Sequence, residues 1–243
     1  MDNSYVWPLP PTNLELAEDE IHVWRAPLDL NKEILDRCAS VLSQDEKLRA
    51  SRFVFPDDRD HFVAARGILR ELLGKYAASP PALLQFQYGQ HGKPSLRTEN
   101  GASAIRFNLS HSRGLAVYGF ARHRELGIDL EPIRPEFAGE AIAERHFSPR
   151  ELEEWHRLTP GLRAEAFFLC WTRKEAYVKA RGEGLQIPLA SFSVTLTPGQ
   201  PEELQSIDSA RWHLHSFEPA PGYAAAIVGE EKDWRLVRWD WQS

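Results

Sequence analysis

The chain has 243 residues, enough for one large domain or two small ones on a prior of about 150 residues each. Hydrophobic residues make up 42% and charged residues 26%, a balance that can bury a core and excludes both a disordered chain and a disulfide-held miniprotein. Its 29 basic and 35 acidic side chains give a formal net charge of −6, which argues against a dedicated nucleic-acid binder, since such proteins carry a basic surplus.

The N-terminal segment has neither a basic region nor an apolar run of the kind that opens a secretory signal, and no stretch approaches the ~20 apolar residues that span a bilayer. A cytoplasmic protein with no membrane contact is expected. Ile21–Trp24 reads as the first strand. Cys38 and Cys170 are too few for a disulfide framework and are not paired as metal ligands, so each is expected to be a small buried hydrophobe. Ser43-Gln44-Asp45-Glu46 has the capping-box pattern and predicts a helix start. Phe62–Tyr76 predicts a long helix, stopped by Ser79-Pro80-Pro81 because proline cannot continue it. Phe86–Tyr88 reads as a strand and Gly89–Asn100 as a polar loop. Arg106–Leu109 and Gly114–Phe120 read as strands, the latter buried.

The rest of the chain follows in similar order. Leu126–Asp129 reads as a strand, and Ser148-Pro149-Arg150-Glu151 repeats the capping box with proline at the favoured first helical position. Phe167–Arg181 predicts a second long helix, ended by Gly182 and Gly184. Phe192–Val194 reads as a strand, Thr197–Asp208 as a polar loop, and Arg211–Leu214 and Tyr223–Val228 as strands. The offset between matching elements is about 105 residues. Identities along it are few; the order of element types is what repeats. The expected fold is α+β, built from two similar subdomains at 1–122 and 123–243.

Chemistry concentrates in four clusters. In Gly127-Ile128-Asp129-Leu130-Glu131, strand alternation puts Asp129 and Glu131 on one face with Cα atoms ~6.7 Å apart. They are either two solvated acids or two ligands of one cation. In Trp171–Lys179, Glu175 and Lys179 stand at i and i+4. They are either a surface ion pair worth ~0.3–0.5 kcal/mol or working groups on a helix that is otherwise apolar through Phe167, Phe168, Leu169 and Trp171. Phe107-Asn108-Leu109-Ser110-His111-Ser112 is either a strand running into a turn or a phosphate contact made by a hydroxyl and an imidazole. Gly92-Lys93-Pro94 is by itself a turn. His213 and His215, two apart with no further ligand in view, read as the solvent face of a strand.

Together, Leu109-Ser110-His111-Ser112, Gly127-Ile128-Asp129-Leu130-Glu131 and Trp171-Thr172-Arg173-Lys174-Glu175-Ala176-Tyr177-Val178-Lys179 resemble the signature of the 4′-phosphopantetheinyl transferase superfamily, in its two-domain, surfactin-type branch. The resemblance runs from about Leu42 to Val194 and more weakly to the end. Members of that branch are pseudo-dimers of one α+β unit, whereas the other well-known branch has chains of about half this size that assemble as trimers. A monomer is therefore implied here.

The resemblance implies Mg²⁺-dependent transfer of phosphopantetheine from coenzyme A to a serine hydroxyl of an apo acyl or peptidyl carrier protein, releasing adenosine 3′,5′-bisphosphate. The carriers would belong to polyketide, nonribosomal peptide or fatty acid synthases; Ala176, where many two-domain members have serine, leans toward the first two. Carried over, Asp129, Glu131 and Glu175 would hold Mg²⁺. Two carboxylates ~5 Å apart repel by ~3 kcal/mol at an effective dielectric near 20, so converging acids favour a divalent ion. An all-oxygen set suits Mg²⁺ rather than zinc. Lys179 would reach a phosphate oxygen, and Glu175 is a candidate base for the serine. Arg49, Lys93, Ser110 and His111 would bind coenzyme A, with Arg49 and His111 on the 3′-phosphate and Lys93 in the adenine or phosphate region. Arg52 and Arg66 are either added positive potential or ordinary surface residues, and Lys174 is either on the pyrophosphate or solvated. Two other readings are another Mg²⁺-dependent phosphotransferase, for which no P-loop or kinase-type glycine loop is present, and a non-catalytic carrier-binding protein, which would have lost these acids.

Overall fold

A computed structural model of the chain describes residues 6–98 and 101–243. Strand β1 (Glu20–Pro27) is followed by helices α1 (Lys32–Ser40), α2 (Gln44–Ala50) and α3 (Pro56–Ala77). Strands β2 (Gln85–Tyr88), β3 (Pro94–Thr98), β4 (Gly101–Ala102), β5 (Ile105–Ser112), β6 (Leu115–Arg122) and β7 (Leu126–Pro132) come next. Helices α4 (Glu140–His146), α5 (Pro149–Arg157) and α6 (Pro160–Arg181) lead into β8 (Ser193–Val194), β9 (Leu204–Gln205), β10 (Trp212–Phe217), β11 (Tyr223–Glu230) and β12 (Arg235–Asp240). The class is α+β, as expected.

Three strands in each half pair alike. β6 lies between β1 and β5, and β11 lies between β7 and β10, every pair antiparallel. Each trio is covered by a long helix, α3 or α6, both of 22 residues with proline in the first turn. The trios meet through Ile21, Val23 and Val117 on one side and Ile128, Leu130 and Ile227 on the other. The layers therefore run helix, sheet, sheet, helix, and burial of each such aliphatic side chain contributes about 1.5–3 kcal/mol.

Both capped helices start where expected. The Ser148 amide donates to Glu151 Oε2 (2.6 Å) and the Ser43 amide to Glu46 Oε2 (3.0 Å). Two features depart from the sequence reading. The polar loop expected at Gly89–Asn100 is a hairpin: Phe86 and Leu96 face each other on β2 and β3, leaving Gly89–Lys93 as the turn, and Asn100 lies outside the described residues. The loop expected at Thr197–Asp208 likewise contains β9, which pairs with β8. The last strand, β12, runs parallel beside β1, so the chain ends in the sheet of the first half. No helix among the described residues is long and apolar enough to cross a membrane.

Candidate active site

β7 presses its polar face onto α6. Ile128 and Leu130 point into the core between the sheets, leaving Gly127, Asp129 and Glu131 on the helix side. Gly127 lets the two backbones touch: a Cβ there would overlap the carbonyl oxygen of Ala176 and the amide nitrogen of Ala180. Asp129, two residues on, consequently lands beside the turn of α6 that carries Glu175 and Lys179.

The Lys179 ammonium lies 2.6 Å from Asp129 Oδ1 and 3.2 Å from both Ser110 Oγ and the Ile128 carbonyl oxygen. The i,i+4 spacing of Glu175 and Lys179 thus does not mark a surface pair; the lysine crosses to the strand. Asp129 is 4% exposed, and its second oxygen, Oδ2, is buried without a hydrogen-bond partner. Burial, then the charge of Asp129, push the Glu131 carboxyl up, against Ser112, Arg134 and Lys179. Burial and then Asp129 also raise Glu175; Lys179 opposes this and Glu131 adds to it. The three acids therefore feel one another, as expected of a shared site. They are not closed into a cage: among the described residues no three Asp, Glu, His or Cys side chains converge tightly enough to ligate an ion as they stand.

Strand β5, the edge of the first sheet, runs along β7 and holds it by alternate side chains. Asn108 Oδ1 accepts the Ile128 amide (3.0 Å), Ser110 donates to Asp129 Oδ1 (3.0 Å), and Ser112 donates to Glu131 Oε2 (3.0 Å). Asn108 and Ser112 belong to the sequence cluster but carry no role of their own there, although positions two apart on a strand share a face. His111, on the alternate face, is exposed at the rim. Although its edge is open to solvent, most of the ring is enclosed, and that desolvation, then the charges of His61 and Lys179, lower its pKa.

The remaining candidates fall into three groups. Arg49 is exposed on α2, its guanidinium 5.3 Å from the Phe62 ring, and with Arg52 and Tyr88 it borders a cleft of about 690 Å³. Lys93 borders a second cleft of about 290 Å³ together with Glu175 and Lys179. Its ammonium is held by Glu125 Oε2 (2.8 Å) and by the carbonyl oxygens of Leu126 and Ala180 (3.0 Å each), so Lys93 ties the start of β7 to the end of α6. Neither reading of Lys174 survives, because it is wholly buried on Glu151 (2.7 Å) and on the carbonyl oxygens of Leu189 and Phe192. Arg66 is likewise buried on Glu46 instead of lying at the surface. His213 and His215 do occupy the less buried face of β10, against Trp234 and Glu202 respectively.

Residues 125–228 match the family described as the 4′-phosphopantetheinyl transferase superfamily, and residues 29–120 match 4′-phosphopantetheinyl transferase, N-terminal. The chain is 40% identical over 235 residues to the 4′-phosphopantetheinyl transferase HetI of a Nostoc species, covering 97% of this chain and 98% of that one. It is 26% identical over 205 residues to the 4′-phosphopantetheinyl transferase Sfp of Bacillus subtilis, covering 84% and 89%. Among solved structures, a holo-(acyl-carrier-protein) synthase of Bacillus anthracis in complex with CoA (3′,5′-ADP) aligns with 44% of this chain and 96% of its own, at 23% identity and a TM-score of 0.39. The near full-length match to HetI and the two family matches, one in each half, lead to one conclusion: this chain belongs to the 4′-phosphopantetheinyl transferase superfamily and is an enzyme of its two-domain, surfactin-type branch.

Proposed function

We propose that the protein transfers the 4′-phosphopantetheine group of coenzyme A to a serine hydroxyl of an apo carrier protein, in a Mg²⁺-dependent reaction that releases adenosine 3′,5′-bisphosphate. The observation that carries this reading is the meeting of Asp129, Glu131, Glu175 and Lys179 where β7 lies on α6.

Asp129, Glu131 and Glu175 fit a Mg²⁺ ion. The donor set is all oxygen, and Asp129 keeps a buried oxygen free of any hydrogen bond. Mg²⁺ bound there supplies positive charge to the pyrophosphate. Lys179 fixes Asp129 through Oδ1, so that Oδ2 would remain available to an ion, and its half-buried ammonium would offset charge on the leaving phosphate. The serine oxygen bonds to the β-phosphorus as the bond from that phosphorus to the bridging oxygen breaks. Glu175 receives the serine proton.

Arg49 and His111 bind the 3′-phosphate, Ser110 the pyrophosphate side, and the methylenes of Lys93 shape the wall of the nucleotide cleft. Phe62 of α3 carries the Arg49 guanidinium, and the charge of His61, the residue before it, reaches His111. The two subdomains, 1–122 and 123–243, form the cleft within a single chain, with β12 returned to the first, and the protein acts as a cytoplasmic monomer. Its carriers are those of polyketide, nonribosomal peptide or fatty acid synthases.

The test is incubation with coenzyme A, Mg²⁺ and apo carriers of each class, with intact mass read afterwards. The reading requires a gain of one phosphopantetheine on the carrier serine, lost when that serine is alanine. Transfer of any other group would assign a different phosphotransferase, and binding without a change of mass would assign a carrier-binding protein.

A further inference from the structure

Glu131 is the acid furthest along β7 from Lys179's partner Asp129, and its contact with β5 is made by one hydroxyl, that of Ser112. Ser112 closes β5 at a two-residue turn. Arg113 and Gly114 both have positive φ (47° and 78°), as the tight hairpin that matches strand twist requires, and Ser112 faces Leu115 across it. That turn is anchored from both halves of the molecule. The Leu28 amide donates to the Gly114 carbonyl oxygen (2.7 Å), and the Tyr223 hydroxyl donates to the Arg113 carbonyl oxygen (2.9 Å). Tyr223 opens β11 and stands opposite Pro132, the residue after Glu131 on β7. The hydroxyl and the carboxylate it holds are thus fixed to the same frame by two routes.

From this geometry we infer that Ser112 is a positioning residue: its hydroxyl occupies Oε2 of Glu131 and presents Oε1 toward the face shared with Asp129 and Glu175. The inference rests on the proposed metal site. A neutral hydroxyl is suited to the role, because it restrains the carboxylate without neutralising it. Groups that orient metal ligands in this way change metal affinity by about 10–100-fold when removed.

The test counts bound metal and does not depend on turnover. Mn²⁺ is titrated into the full-length protein, with and without coenzyme A, and free Mn²⁺ is read by electron paramagnetic resonance. Ser112→Ala should weaken Mn²⁺ binding by about tenfold or more, and Ser112→Thr, which keeps a hydroxyl, should stay within about threefold of wild type. Ser112→Cys replaces the hydroxyl by a near-isosteric weak donor and should follow alanine; it gives the same answer if the alanine variant does not fold. Glu131→Gln is measured alongside. If Glu131→Gln weakens Mn²⁺ while Ser112→Ala and Ser112→Cys bind it as wild type does, the positioning role is overturned and the metal site stands. If Glu131→Gln also binds as wild type, the metal assignment at Glu131 falls and the role of Ser112 falls with it.

Discussion

Lys174 Nζ lies 2.7 Å from Glu151 Oε2, with both side chains wholly buried, and the first half repeats the arrangement with Arg70 2.6 Å from Glu46. In each half the acid closes a capping box, three residues after its serine, and the cation sits on the long helix. In each half the cation also donates to two carbonyl oxygens after that helix: Leu189 and Phe192 for Lys174, Pro81 and Leu84 for Arg70. One buried ionic lock therefore recurs where the short capped helix meets the long one.

Removing one partner of such a lock leaves an uncompensated buried charge. Lys174→Met should cost about 3–5 kcal/mol in urea unfolding. Adding Glu151→Gln, which keeps an acceptor for the Val194 amide (2.7 Å), should recover at least half of that loss. A Lys174→Met protein of unchanged stability and lost turnover would instead return the lysine to the substrate.

The lock of the first half gives a pH signature. Burial pushes the Glu46 carboxyl up, but Arg66, the Ser43 amide and Arg70 outweigh it and hold the group below 4.5. A depressed carboxyl contributes stability that is fully present above its unfolded value and is lost as pH falls through its folded value. Unfolding free energy should therefore fall below about pH 4.5 in the wild type and fall less steeply in Glu46→Gln, which is less stable at neutral pH. Parallel curves from urea melts at stepped pH would remove Glu46 as a source of acid sensitivity.

Gly127 sets the spacing of strand and helix. Gly127→Ala should separate Asp129 from Glu175 and Lys179 and lower turnover by about 100-fold, since displacements near 1 Å in a positioned site have that effect. Gly139→Ala, where a Cβ would meet nothing within 4 Å, serves as the control and should stay within about twofold. Equal turnover in both variants would mean that the close approach is not needed.

The capping boxes, the two long helices and the Gly-Ile-Asp strand were legible because each is written in local chemistry. Lys174 was not, since its partner Glu151 lies on another helix and nothing local distinguishes a buried lysine from a solvated one. Strand β12 was also missed: its partner β1 is at the other end of the chain, and pairing between distant parallel strands leaves no local signature. One repeat was readable and overlooked. Arg70-Glu71 and Lys75 on α3 match Lys174-Glu175 and Lys179 on α6, counted from Pro56 and Pro160. The first half keeps that helix pattern but has Trp24 and Ala26 on β1 where β7 has Asp129 and Glu131. Its Glu71 pairs with Arg37 (3.0 Å), and its Lys75 lies over the Trp24 ring (5.7 Å). The helix motif is therefore present in both halves, and what the first half lacks is the pair of strand acids.

The central claim is that acids from β7 and α6 act together on a metal-bound pyrophosphate. Its most direct test is the initial rate of carrier phosphopantetheinylation against Mg²⁺ concentration, for wild type and Asp129→Asn. The account predicts saturable Mg²⁺ dependence in the wild type, with the half-saturation concentration raised at least tenfold or activity lost in Asp129→Asn. The same Mg²⁺ curve and the same rate in both proteins would contradict it.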